Sequence, residues 1–248
     1  AEGAVGSLDE ALSARHDAVI VSTSKERFLP LMKELRDRGE TVISETSFLP
    51  LTDGEMDAIS DMEGTVAEQY PYTPLYGAML AALPLVGRVS QVRLSGLHSH
   101  HAAAIARRVL SLGSEMPSSV SSCDFPYAIR KTGSRDGDFI GDEMEQCTRK
   151  LRMLDFGGRL FVNDFSSNQY HSAFYGKEAE IRGEKGTITE RGVTVLEDDG
   201  SPVWMPFAFH RDDYHSFRGT SYVSLGGKVV WRNRFAGKGL TDDEIGIA

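Results

Sequence analysis

Cysteine is scarce in this sequence, which has two, Cys123 and Cys147, in 248 residues. Two thiols are too few for a disulfide framework or a structural zinc cluster, and they are typical of a reducing compartment, so we expect a cytoplasmic location. No apolar run approaches the ~20 residues that a membrane-spanning helix needs, and no charged-then-apolar signal segment opens the chain. These absences argue against a secreted disulfide scaffold and against a membrane partner.

Positive charge is also in short supply. Lys and Arg number 27 against 36 Asp and Glu, which leaves a formal net charge of −9. This balance argues against the uniformly basic surface that binds nucleic acid or anionic membranes. The apolar share is 40%, and 25 glycines and 9 prolines are present, so the composition is that of a folded protein with a sizeable core. The length corresponds to one large domain or two small ones.

The first part of the chain alternates between helix and strand patterns. Residues 17–23 and 41–44 are short apolar runs rich in β-branched residues, which is typical of strands buried on both faces. The segment between them has helical spacing, and Gly39 stands where a C-terminal cap belongs. Pro30 predicts that this helix begins near Arg27, so that the proline lies in the first turn. The alternation predicts a parallel, doubly wound sheet.

The pattern changes after about residue 85. Residues 89–94 predict a strand and residues 101–112 a helix, and from residue 118 onward extended segments alternate with glycine-bearing turns such as Gly157-Gly158. This succession is typical of an antiparallel meander that forms one sheet with a polar face available. The sequence therefore predicts that residues 118–234 are predominantly antiparallel strands.

Three segments together resemble a known family. They are residues 17–47, which end in Glu45-Thr46-Ser47; residues 68–89, from Glu68-Gln69-Tyr70-Pro71-Tyr72-Thr73-Pro74 to the turn Gly87-Arg88-Val89; and residues 156–188, from Phe156-Gly157-Gly158 to Gly186-Thr187-Ile188. In order and spacing they resemble the glucose–fructose oxidoreductase / inositol dehydrogenase / rhizopine catabolism (Gfo/Idh/MocA) family of NAD(P)-dependent oxidoreductases.

The resemblance implies the fold class, α/β plus α+β. Residues 1–64 would be the second half of a Rossmann dinucleotide-binding domain, and residues 65–248 a mixed, mainly antiparallel open-sheet domain for substrate binding and oligomerisation. No G-x-G-x-x-G motif with its strand and helix occurs in the sequence. We therefore expect the family's phosphate-binding turn upstream of Ala1, together with the residue that selects NAD or NADP.

The resemblance also implies an activity. The protein would transfer a hydride between NAD or NADP and a sugar, inositol or related polyol, as a homodimer or tetramer assembled through the C-terminal sheet. The family's glutamate–lysine–proline signature falls on Glu45-Thr46-Ser47, so the glutamate is present and Thr46 replaces the lysine. Glu45 and Thr23 are the candidate cofactor contacts, because both follow strands of the predicted parallel sheet. Each has an alternative role as a helix cap, Thr23 in a Thr23-x-x-Glu26 capping box.

Three histidines are candidates for proton transfer. The family's aspartate-and-histidine motif falls on Leu97-His98-Ser99-His100-His101, so that His101 matches the histidine and Leu97 takes the aspartate's place. Alcohol oxidation needs a base near neutrality, which suits histidine. If the helix begins near His98, His98 and His101 share one face and His100 points elsewhere. His101 and His98 are therefore the candidate catalytic residues, and the alternative is that they cap a helix or lie at a subunit surface.

Other features leave alternatives open. Tyr70 and Tyr72 are candidate substrate-binding residues, because a phenol offers an apolar face and a hydroxyl, although such residues often only pack. The missing lysine favours a second function class, a catalytically silent relative that binds a ligand or partner. A third class, a metal-dependent hydrolase, is suggested by His98-x-His100. It would need further ligands from His171, His210, His215 and Asp164, which have no recognisable ligand spacing, so we predict no metal site.

Overall fold

The computed structural model describes residues 4–45, 51–133, 139–172, 176–211, 219–235 and 240–242. The chain divides into two compact units, Ala1–Glu68 and Gln69–Ala248. Each unit has its own hydrophobic core, the first around Phe28 and Leu35 and the second around Met79, Leu94 and Ile105. Within the described residues, no helix is long and apolar enough to span a membrane.

The first unit contains a three-stranded parallel sheet. Its strands are β1 (Val19–Val21), β2 (Val42–Ser44) and β3 (Gly64–Val66), in that spatial order, and its helices are α1 (Leu8–Ser13), α2 (Lys25–Asp37) and α3 (Asp53–Asp57). Both strand pairs are parallel, because a helix-containing segment returns the chain to the same end of the sheet each time. The predicted alternation of helices and parallel strands is confirmed.

Helix α2 differs from prediction at its start. It begins at Lys25 with Ser24 as the N-cap, so Thr23 lies outside the helix and is not its cap. Pro30 is therefore inside the helix and not in its first turn, which corrects the predicted start near Arg27. The proline removes one amide donor, but the buried side chains of this helix hold it against the sheet on both sides of Pro30; these are Phe28, Met32 and Leu35.

The end of α2 agrees with prediction. Gly39 has φ +72°, in the left-handed region that favours glycine, and its amide donates to the carbonyl of Arg36 at 2.9 Å. The next amide, that of Glu40, donates to the carbonyl of Leu35 at 3.0 Å. These two hydrogen bonds form a Schellman motif, which satisfies the last carbonyls of the helix and turns the chain toward β2.

The second unit is built on a ten-stranded sheet. Its strands are β4 (Val89–Ser95), β5 (Ser119–Gly133), β6 (Phe139–Asp155), β7 (Leu160–Phe165), β8 (Glu178–Gly183), β9 (Gly186–Thr189), β10 (Gly192–Leu196), β11 (Pro202–Arg211), β12 (Thr220–Leu225) and β13 (Lys228–Arg232). The spatial order is β13-β12-β11-β10-β9-β8-β4-β7-β6-β5. Strands β4 and β7 are parallel and the other neighbours are antiparallel. The sheet is therefore mixed and mainly antiparallel, as predicted.

Two helices pack on one face of this sheet, α4 (Pro74–Ala82) and α5 (Ser99–Val109). Along β4, Val92 and Leu94 are fully buried against them, whereas Arg93 between them points to the opposite face. A Cβ added to Gly77 of α4 would lie 2.5 Å from the indole Nε1 of Trp231, so this helix approaches β13 closely. We call the face that carries Arg93, opposite α4 and α5, the open face.

Candidate functional site

A tight turn connects β4 to α5 and determines where the histidines lie. Gly96 in this turn has φ +74°, and its amide donates to the carbonyl of Asp164 in β7 at 3.1 Å. A Cβ at Gly96 would lie 3.0 Å from the carbonyl oxygen of Gly176, so both the backbone conformation and the space favour glycine. His98 then occupies the N-cap position of α5. The turn therefore places the histidines at the carboxyl end of β4, beside the end of β7.

Asn163 of β7 holds the start of α5. Its side chain is buried, and its Nδ2 donates to the carbonyl of Leu97 at 3.3 Å. Its Oδ1 accepts from the Ser99 hydroxyl at 3.1 Å. A buried amide with both ends hydrogen-bonded fixes the segment it contacts, because breaking either bond leaves a polar atom unsatisfied. Sequence reasoning missed this residue, although an amide in an apolar strand run was the signal for it.

The three histidine rings form one cluster. The ring centroids of His98 and His100 are 5.7 Å apart and nearly parallel, those of His98 and His101 are 6.3 Å apart, and those of His100 and His101 are 4.0 Å apart. The expectation that His100 points away from the other two was wrong. Because His98 is the N-cap, its side chain leaves the backbone outside the helical rows, and the simple helix geometry does not apply to it.

The two sides of the cluster face different surroundings. His98 packs against Phe165 of β7 with ring centroids 4.5 Å apart, and His101 packs against Tyr70 at the same centroid distance. The Tyr70 hydroxyl accepts a hydrogen bond from Lys177 Nζ at 3.1 Å. Tyr70 is therefore beside a candidate catalytic histidine, whereas its role toward a substrate stays a prediction.

Tyr72 lies in a different environment. Its side chain is about half exposed, and the guanidinium of Arg108 lies 4.4 Å from its ring centroid and donates to its hydroxyl. Both contacts link the short helical turn at Tyr70–Tyr72 to α5. The structure thus shows Tyr72 in a packing and cation–π contact.

A cavity of about 290 Å³ opens beside the cluster. Its lining consists of His98, Ser99 and His100 from the start of α5, Thr148 and Lys150 from β6, and Phe165 and Ser166 from the end of β7. These side chains are two imidazoles, one ammonium, three hydroxyls and one phenyl ring. Neither His101 nor either tyrosine is among the lining residues. The cavity can donate several hydrogen bonds to a small polar molecule and offers one apolar wall.

On the open face, Asp164 forms a buried ion-pair network. Its side chain is 2% exposed, its Oδ1 accepts from Arg149 Nε at 2.6 Å, and its Oδ2 contacts Arg149 Nη2. Arg93 Nη2 lies 3.6 Å from Oδ2 on the other side. Two cations compensate one buried carboxylate, as burial of a charge requires. Asp164 is therefore committed to structure, and it is not available as the metal ligand considered from sequence.

In the first unit, Thr23 and Glu45 follow the carboxyl ends of neighbouring strands. Val21 and Ser44 are paired in the register of β1 and β2, and the Glu45 amide donates to the Val21 carbonyl at 3.0 Å. The Glu45 side chain is exposed and Thr23 is partly buried. This edge of a parallel sheet is where ligands of open α/β folds bind. Thr46 lies outside the described residues.

The residues considered for a metal site are dispersed. His210 Nε2 lies 2.8 Å from the Ser224 hydroxyl, and His171 Nδ1 lies 3.3 Å from the Gly133 carbonyl. His215 lies outside the described residues. Across the part of the chain that the structure describes, no group of three or more His, Cys, Asp or Glu side chains is placed to hold a metal ion.

Comparison with known proteins shows which solved structures have a similar fold. The sequence matches no protein-family model and no curated protein. An oxidoreductase from Agrobacterium radiobacter, solved with NAD+, L-tartaric acid and magnesium, is 14% identical, with 95% of this chain and 68% of that chain covered and a TM-score of 0.55. GenD2 from gentamicin A biosynthesis, solved with NAD, is 18% identical, with 85% and 62% covered and a TM-score of 0.50.

An oxidoreductase from Bacillus cereus is also similar, with 10% identity, coverage of 82% of this chain and 69% of that one, and a TM-score of 0.53. The chain thus spans about two thirds of the length of these proteins, from 62% to 69%. At such identities the likeness is one of fold. Together with the small parallel sheet and the large mixed sheet, it confirms the predicted fold class, a partial Rossmann-like domain and an open-sheet domain.

Proposed function

We propose that this protein is an NAD(P)-dependent oxidoreductase that acts on a sugar, inositol or related polyol. The observation that carries the proposal is the histidine cluster at the start of α5, which adjoins a cavity rich in hydroxyl and basic groups. The shared fold supports it, because two of the similar proteins were solved with a nicotinamide cofactor.

The chemistry assigns separate tasks to the two units. Thr23 and Glu45, at the carboxyl edge of the parallel sheet, would contact the cofactor, which accepts or supplies the hydride when it is bound. His101 and His98 would take the proton from the substrate hydroxyl, and Tyr70 and Tyr72 would contact the polyol. Thr46, a neutral hydroxyl, cannot replace the ammonium of the family lysine, so proton transfer depends on the histidines.

Cofactor binding tests the first half of the proposal. NADH and NADPH are titrated into the purified full-length protein and followed by nicotinamide fluorescence. Saturable binding is expected, and Glu45→Gln should weaken it, whereas Glu184→Gln, which changes an exposed turn residue, should not.

Steady-state rates with a panel of polyols test the second half of the proposal, turnover of the substrate. Binding of cofactor without turnover of any polyol would favour the catalytically silent relative, and stoichiometric zinc by elemental analysis would favour the hydrolase.

The proposal includes assembly through the open face and a cytoplasmic location. The open face carries exposed apolar side chains at Phe125, Met153 and Trp204, with exposures of 47%, 41% and 50%. A symmetric partner would remove this apolar area from water, which supports a homodimer or tetramer. The location rests on the two free cysteines, of which Cys123 is exposed.

A further inference from the structure

The cavity beside His98 is basic in a protein that is acidic overall. Among the described residues that line it, Lys150 is a cation, His98 and His100 are imidazoles, and none is acidic. The whole sequence has 36 acidic residues against 27 Lys and Arg. The local charge is therefore opposite in sign to the overall charge, and a cavity of this kind attracts anions.

Lys150 has an acidic cross-strand neighbour that is hydrogen-bonded to a different cation. Its cross-strand partner in the β5–β6 pair is Asp124. Asp124 pairs with Arg152, whose Nη1 lies 2.5 Å from Oδ1. This hydrogen bond lowers the pKa of Asp124 below its usual value, and the charge of Lys150 adds a smaller effect in the same direction. Within the described ranges, Lys150 forms no ion pair. The ammonium at the cavity therefore remains available to a ligand.

The remaining lining groups suit a polyhydroxylated chain. Ser99, Thr148 and Ser166 bring hydroxyls that can donate to and accept from ligand hydroxyls. The phenyl ring of Phe165 offers an apolar wall for C–H groups and also packs against His98, which fixes that imidazole. The volume of about 290 Å³ is just under the ~300–1,000 Å³ of typical small-molecule sites, so it accommodates a small ligand.

We propose that this cavity binds the anionic group of an acidic polyol, so that the substrate is a sugar acid or sugar phosphate and not a neutral polyol. The anion pairs with Lys150, while the hydroxyls of the ligand contact Ser99 and Thr148. The inference deepens the proposed function and rests on it for the polyol class.

A direct binding assay tests the anion site without turnover. The probes share carbon skeletons and differ at one end: D-glucitol, D-gluconate and D-glucitol 6-phosphate, with the corresponding galactose- and mannose-derived sets. Affinities are measured by isothermal titration calorimetry, and contact with the cavity is followed by NMR of the histidine ring protons. We expect at least one anionic member to bind about tenfold or more tightly than its neutral counterpart, because charge-assisted hydrogen bonds are about twice as strong as neutral ones. The probe that binds more tightly, carboxylate or phosphate, shows which of the two anionic groups the cavity recognises.

Matched lysine variants give the control. Lys150→Gln should reduce the affinity for the anionic probe about tenfold and leave the neutral probe unaffected, and Lys150→Arg should retain most of the affinity. Lys228→Gln removes an exposed lysine of β13 that is remote from the cavity lining and should change neither affinity. Lys150 is itself exposed, so the folded state should tolerate these changes, and thermal unfolding verifies this.

The outcomes separate this inference from the proposed function. Equal affinities for neutral and anionic probes, no binding by any probe, or an unchanged affinity in Lys150→Gln would each overturn the anion site. Failure of NADH and NADPH to bind, with the gluconate or phosphate probe still shifting the histidine resonances, would overturn the oxidoreductase proposal and leave the anion site standing.

Discussion

Replacing Asp164 by asparagine is the most informative test of the architecture around the site. The change keeps the shape of the side chain but removes the charge that Arg149 and Arg93 share. The carboxylate lies on β7, between β4 and β6, where the parallel strand pair meets the long β5–β6 hairpin. Loss of the charge leaves two guanidinium groups close together without the anion between them.

The expected magnitude follows from the exposure of the three groups. Removing one partner of a fully buried pair costs about 3–5 kcal/mol. Here the carboxylate is 2% exposed, but the side chains of Arg149 and Arg93 are 43% and 47% exposed. Water therefore rehydrates and screens the arginines, and we expect a loss of about 2 kcal/mol. For a protein of this size that loss corresponds to a fall in Tm of roughly 4–8 °C.

Differential scanning calorimetry or urea unfolding measures the loss, and a double-mutant cycle with Arg149→Gln assigns it. If the ion pair is responsible, the double variant should be less destabilised than the sum of the single variants. Asp198→Asn, in an exposed turn, is the control and should change the free energy of unfolding by less than about 0.5 kcal/mol. An effect of Asp164→Asn no larger than that of the control would refute the structural role of the carboxylate.

Three further predictions concern catalysis, titration and assembly. His101→Ala should lower turnover far more than His100→Ala, which should mainly raise KM. Steady-state kinetics on the panel of polyols measure both effects, and small, equal effects would contradict the catalytic role of His101. The hydrogen bond that the His16 imidazole donates to the Glu40 carboxylate raises the pKa of His16. This pair therefore contributes stability that is fully present below about pH 6.5 and is lost as pH rises through the raised pKa, and Glu40→Gln should bring the NMR titration of His16 back toward 6.5. Trp204→Arg on the open face should lower the mass measured by light scattering, and a monomeric mass for the unchanged protein would contradict assembly.

Local patterns predict β1, α2 and β2 of the first unit, because neighbours in sequence determine these elements, whereas α3 and β3 were not predicted. The β-branched runs of β1 and β2 are strands, and Gly39 ends α2 as its conformational freedom predicts. The predicted start of α2 was wrong, because the rule applied to Pro30 considers only its missing amide donor. Burial of the apolar face of the helix outweighs that single hydrogen bond.

The order of strands in the second unit could not be read from the sequence. Strand β4 lies between β7 and β8, and strands so far apart in the chain pair through long-range contacts that no local pattern encodes. The same limit applies to the site. The histidines were visible as neighbours in sequence, but Thr148 and Lys150 reach the cavity from β6, about fifty residues later, and only the pairing of β6 with β7 brings them there.

Three consecutive residues of β7 connect the sheet to the site. Because side chains alternate along a strand, Asn163 and Phe165 point to the helix-covered face and Asp164 to the open face. Asn163 fixes the start of α5, Phe165 packs against His98, and Asp164 binds Arg149. A shift of β7 by one residue would exchange these faces, bury a charge under α5 and release His98 from its aromatic contact. The ion pair on the open face therefore stabilises the register that positions the histidines, and a loss of the Asp164 charge should disturb the His98 resonance even though the two side chains lie on opposite faces of the sheet.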